Sequence, residues 1–122
     1  MSEPLVSGIR ATKPFITRKS ITQVDSNFPS KEADGVDGSR YPRIMYDCII
    51  TAGENGIRTY QPQIFYWNTL HQKWIPQQKS SFDATQTSGK LVVETFANRV
   101  ALAFSVFDVG LTIDVDVTFL NY

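Results

Sequence analysis

Apolar and polar residues alternate most cleanly near the end of the chain, over Leu111-Thr-Ile-Asp-Val-Asp-Val-Thr-Phe119. Leu111, Ile113, Val115, Val117 and Phe119 share one side, and Thr112, Asp114, Asp116 and Thr118 the other. That period of two predicts a strand buried on one face. Just upstream, Arg99-Val-Ala-Leu-Ala-Phe-Ser-Val-Phe107 is apolar on both sides, as expected of a strand in the middle of a sheet or one whose outer face meets a partner. Asp108-Val109-Gly110 supplies the turn between the two, so a β-hairpin is expected. Arg43–Thr51 reads as a further strand ending at a turn over Gly53-Glu54-Asn55-Gly56. A long strand over Ile57–Trp67 follows, in which Pro62 demands an edge or a bulge. Shorter strands are predicted at Lys73–Ile75 and Lys90–Phe96, and Phe15–Val24 is a candidate first strand or extended arm. A convincing helical period is nowhere to be found.

Six or seven short strands at this spacing predict an all-β fold, a single antiparallel β-sandwich of jelly-roll kind with an extended N-terminal arm. The expected division is an arm and loop over residues 1–38, with one strand at 15–24, and a sandwich domain over 39–122. Pro4, Pro14 and Pro29 and the loop-like run Ser30–Ser39 set the first part apart. Within the first nineteen residues Arg10, Lys13, Arg18 and Lys19 face a single acid, Glu3, whereas Asp108–Tyr122 holds three Asp and no Lys or Arg. Such complementary fields could lay the head of one copy against the tail of another. Solvated charges on unrelated surfaces are the plainer reading.

Composition narrows the function. The 122 residues suit one domain. Twelve Lys and Arg balance twelve Asp and Glu, without the basic excess expected of a nucleic-acid-gripping domain. No stretch approaches the roughly 20 apolar residues of a membrane span, and the N-terminus lacks the apolar centre of a signal peptide. One Cys and one His argue against an internal disulfide and most metal sites, so no metal or cofactor is expected. His71 lies in the polar stretch Asn68–Gln72, where an exposed and idle imidazole is the ordinary outcome. Cys48 shares a strand face with Ile44, Tyr46 and Ile50 and reads as a small buried hydrophobe. A cation held by Asp114, Asp116 and Asp108 is conceivable, but a charged strand face that discourages edge pairing explains them more simply. Phosphate-loop, dinucleotide and zinc-protease motifs are all missing. No catalytic residue is assigned.

The aromatic residues carry more. Tyr60, Phe65, Tyr66, Trp67 and Trp74 crowd into fifteen positions, with Phe65 and Trp67 on one strand face and Tyr60, Ile64 and Tyr66 on the other. A sheet with large rings on both faces must cover both or offer one to a partner. That partner is either a sugar ring or a protein surface.

The order Ser39–Thr51, Pro62-Gln-Ile-Phe-Tyr-Trp-Asn68, Gln72-Lys-Trp-Ile75, Gly89–Val93 and Asn98-Arg-Val-Ala-Leu-Ala103, closed by an alternating strand, resembles the small jelly-roll proteins of tailed-bacteriophage virions. These include capsid decoration proteins and related tail or fibre modules. The resemblance spans about residues 39–120. It implies a non-enzymatic structural protein on the capsid surface, made in the host cytoplasm. It would bind the major capsid protein or another virion protein, often as a homotrimer. The residues expected to touch the partner are Arg10, Lys13, Pro14, Phe15, Arg18 and Lys19 in the arm, with Tyr60, Tyr66 and Trp74 as surface anchors. Carbohydrate-binding modules share the same pattern, so a glycan-binding or receptor-binding tail component is the alternative.

Overall fold

In Arg43–Ala52 (β3) the even positions Ile44, Tyr46, Cys48 and Ile50 are buried, while Met45, Asp47 and Ile49 are half-exposed. The same alternation in Thr112–Leu120 (β9) buries Ile113, Val115 and Val117. These faces need a cover, and a second sheet supplies it. The computed structural model describes residues 10–53, 58–79, 81–83 and 88–122, without the side chains of 78, 79, 82, 83 and 88.

The other strands are Phe15–Ile21 (β1), Val36–Asp37 (β2), Thr59–Asn68 (β4), Lys73–Lys79 (β5), Phe82–Asp83 (β6), Ser88–Glu94 (β7) and Arg99–Phe107 (β8). One sheet has the order β1-β9-β3-β7 and the other β2-β8-β4-β5, with β6 also on β4. The pairs nest: β1 with β9, β2 with β8, β3 with β7 and β4 with β5, all antiparallel. The chain is thus one long hairpin rolled so that successive nested pairs alternate between two sheets, which is the jelly roll. The expected all-β sandwich is the fold of this protein. Tyr46, Tyr60, Ile64, Leu102, Phe104 and the inner residues of β9 fill the space between the sheets.

Three local expectations are corrected. The segment Asp108–Gly110 does not close a hairpin ladder, because β8 and β9 belong to opposite sheets; it carries the chain across the end of the sandwich. Asp108 braces this crossing, its carboxylate accepting from the Thr59 N–H at 2.8 Å. The strand at Lys90–Phe96 ends at Glu94, and Phe96 lies in the following turn. Residues 10–38 are built into the body: Ala11 bridges Leu120 and β1 runs along β9, while β2 joins the second sheet. The basic head therefore meets the acidic tail within one chain, with the Ser20 N–H donating to Asp114 at 2.8 Å. Residues 1–9, and the predicted turn at 54–56, fall outside the described residues. Pro62 sits in a central strand, where a register break beside it against β8 removes the need for its missing N–H.

Candidate functional site

Two surfaces carry the residues singled out in the sequence. The first is the β1 edge. Among the described residues β1 pairs only with β9, leaving its other side free. Phe15 and Ile16 are 44% and 51% exposed, and Lys13, Pro14 and Lys19 are exposed beside them. Phe15 also leans on Phe119, their ring centroids 5.8 Å apart. Arg10 lies with its guanidinium 5.4 Å from the centre of the Tyr122 ring.

Arg18 lies on the opposite face from Ile16, whose register partner is Asp116. The register partner of Arg18 is Val115, on the inner side of β9, so the side chain is drawn inward between the sheets. There it forms a two-point pair with Asp25, at 2.8 and 2.7 Å. The two side chains are 13% and 10% exposed. Arg18 also donates to the Leu102 carbonyl at 3.3 Å, and the Phe28 ring lies 3.9 Å from its guanidinium carbon. Asp25 accepts from the Phe104 N–H at 2.7 Å, and its own N–H donates to the Phe104 carbonyl. Arg18 and Asp25 thus join β1 of one sheet to β8 of the other and satisfy backbone of β8 beyond the two residues that β2 covers. The expectation that Arg18 reaches a partner is corrected: its charge is consumed inside the fold.

The second surface is the end of the sandwich where the β4–β5 hairpin, the β7–β8 turn and residues 31–39 converge. Tyr60 does not belong to it. Tyr60 is fully buried, edge-on to Phe104, and burial pushes its hydroxyl pKa well up; it is a core residue, not a surface anchor. Tyr66 lies on the same inner face, and its hydroxyl donates to the Glu94 carbonyl of the opposite sheet at 2.7 Å. Burial, then the Glu94 charge, pushes that hydroxyl pKa up. Trp74 opposes Trp67 on the outer face with centroids 5.3 Å apart. Its indole N–H donates to the Lys31 carbonyl at 2.9 Å. Gly35 admits the ring, since a Cβ at that position would collide with Trp74. Trp74 is held by its own chain.

What the sequence pattern did not single out is Phe96. The turn Thr95-Phe96-Ala97-Asn98 closes with the Asn98 N–H donating to the Thr95 carbonyl at 2.9 Å. Phe96 and Ala97 have φ of 52° and 59°, the left-handed values that a type I′ turn asks of its two central residues and that Asn-Gly adopts at least cost. For residues with a side chain this conformation costs about 1–2 kcal/mol each. Phe96 is 68% exposed and stands edge-on to Tyr66 at 5.7 Å. The available signal was its parity, which puts it on the outward side with Val92 and Glu94. Beside it an open groove of about 450 Å³ is lined by Tyr66, Trp67, Asn68, Thr69, Ile75, Gln77, Phe96 and Asn98. A second, of about 710 Å³, shares Trp67, Thr69 and Asn98 and runs toward Lys31, Asp37 and Arg99.

Cys48 and His71 lie in different parts of the fold, one in the core and one on an exposed turn. Cys48 is 1% exposed in the core, and burial, then Asp47 and Asp116, pushes its thiol pKa up to about 12. His71 is exposed on the β4–β5 turn. Asp47 and Asp116 oppose each other across β3 and β9, with Lys90 paired to Asp47 at 2.7 Å. Asp108 is at Thr59, and among the described residues no group of His, Cys, Asp or Glu is placed to hold a metal. No described helix is long and apolar enough to cross a membrane. Compared with family models, curated proteins and solved structures, the chain has no match.

Proposed function

We propose that this chain is a non-enzymatic structural protein of a virion, a capsid decoration or stabilising protein that docks through the β1 edge. The observation that carries this reading is the side of β1 left unpaired among the described residues, where Phe15 and Ile16 stand exposed between Lys13 and Lys19. An open apolar strand edge is a template for another chain. Burying the exposed half of each side chain would contribute about 1 kcal/mol before the costs of association. The jelly roll is also an architecture in which capsid domains are built, though fold alone does not assign function. The separation of the sealed Cys48 from the exposed His71 supports a role without covalent chemistry. The partners are the major capsid protein or another virion protein and further copies of the chain, as a homotrimer on the capsid surface.

Co-sedimentation with purified shells of the virus that encodes the chain tests this, together with light scattering on the free protein. The intact chain should pellet with shells, and Ile16→Lys, which puts a charge on the exposed edge, should stay in solution while remaining folded. Equal recovery of both in the supernatant would overturn the reading.

A further inference from the structure

We infer that the groove between the β4–β5 hairpin and the β7–β8 turn is a binding site for a neutral oligosaccharide, with Phe96 and Trp67 as stacking surfaces and Asn98 and Gln77 reading hydroxyl groups. Two consecutive side-chain-bearing residues of the β7–β8 turn hold left-handed backbone, and the ring they present is largely solvated. A conformation that folding does not favour, spent on exposing an aromatic ring, is the kind of strain that functional surfaces retain.

The lining decides the ligand. The groove mixes the rings of Tyr66, Trp67 and Phe96 with amides and a hydroxyl, and none of its lining side chains is charged. The side chains of Asn98, Gln77 and Thr69 make no hydrogen bond with any described residue. An apolar protein surface laid over them would leave those groups desolvated and unpaired. A pyranose brings both complements at once, C–H faces for the rings and hydroxyls for the amides. The absence of charge in the lining selects neutral sugars over sialylated or uronic ones. The volume of about 450 Å³ falls within the range of small-ligand sites. This inference does not depend on the β1 edge.

The test uses the full chain on an array of neutral and acidic oligosaccharides, followed by solution titration of the strongest neutral sugar by tryptophan fluorescence. Neutral sugars should bind, and their acidic counterparts should bind no better. Phe96→Ala should weaken binding roughly tenfold or more without lowering the thermal midpoint, because the ring is mostly exposed. Asn98→Ala, which keeps the turn's backbone hydrogen bonds, should also weaken binding, and it decides the matter should Phe96→Ala fail to fold. Silence across the neutral sugars would overturn the site. So would full-strength binding by both variants, or a preference for acidic sugars.

Discussion

Asp25 attracts no notice in the sequence, lying in an irregular stretch with no motif around it. In the fold it gathers the Arg18 guanidinium and the Phe104 N–H at the seam between the sheets. Removing one partner of so buried a pair strands the other charge, which typically costs about 3–5 kcal/mol. Arg18→Ala should therefore lower the urea midpoint by the equivalent of about 3 kcal/mol, and adding Asp25→Ala should cost much less than the sum of the two. A second residue-scale expectation concerns Asp116. Burial, then Asp47 and Asp114, raises its carboxyl pKa against the opposing pull of Lys90. A carboxyl raised by folding holds its proton more tightly in the native chain. Its contribution to stability is thus greatest below the unfolded pKa and is lost as pH rises through the folded one. Asp116→Asn should stabilise the protein at neutral pH, with the advantage fading in acid below both pKa values, as urea titrations across that range would show.

At the scale of elements, the strands themselves were legible. Alternation placed β3, β8 and β9 within a residue or two, and the double-sided apolarity of Arg99–Phe107 correctly announced an interior strand between β2 and β4. The alternative that Pro62 sits at a bulge also matched. The turns were less legible, because a short connection looks the same whether it joins neighbours in one sheet or crosses between two. The β7–β8 turn hid itself further by using Phe-Ala where Asn-Gly would have signalled it. Its strain gives a direct expectation. Ala97→Gly relieves one left-handed side-chain-bearing residue and should raise the urea midpoint by the equivalent of about 1 kcal/mol, leaving the Phe96 ring in place. An unchanged or lowered midpoint would show that the turn carries no strain.

For the whole molecule, the nested pairing puts the first and last strands side by side. β9 lies in the middle of its sheet, between β1 and β3, so the sheet cannot close until the end of the chain is present. Non-local pairing of this kind folds in milliseconds to seconds rather than microseconds. A chain stopped after Gly110 should show no cooperative thermal transition by circular dichroism; a sharp one would mean that the first sheet closes without its central strand. The same geometry explains the fate of the charged ends. The basic head and acidic tail lie side by side within one molecule as β1 and β9, but no ion pair joins them among the described residues, and Arg18 is turned to Asp25 instead of outward. What remains outside is the apolar edge at Phe15 and Ile16 and the aromatic end around Phe96.

Local pattern alone determined which residues share a strand face and that the protein is a β-sandwich, because period-two alternation follows from burying one face of each strand and needs no knowledge of its neighbours. Tertiary structure alone decided which strand lies beside which, that Tyr60 is sealed while Phe96 is offered to solvent, and that Arg18 spends its charge inside. These outcomes depend on hydrogen bonds and close approaches between residues as many as about a hundred positions apart (Phe15 beside Val117), and such long-range pairing leaves no periodic trace in the chain that makes it.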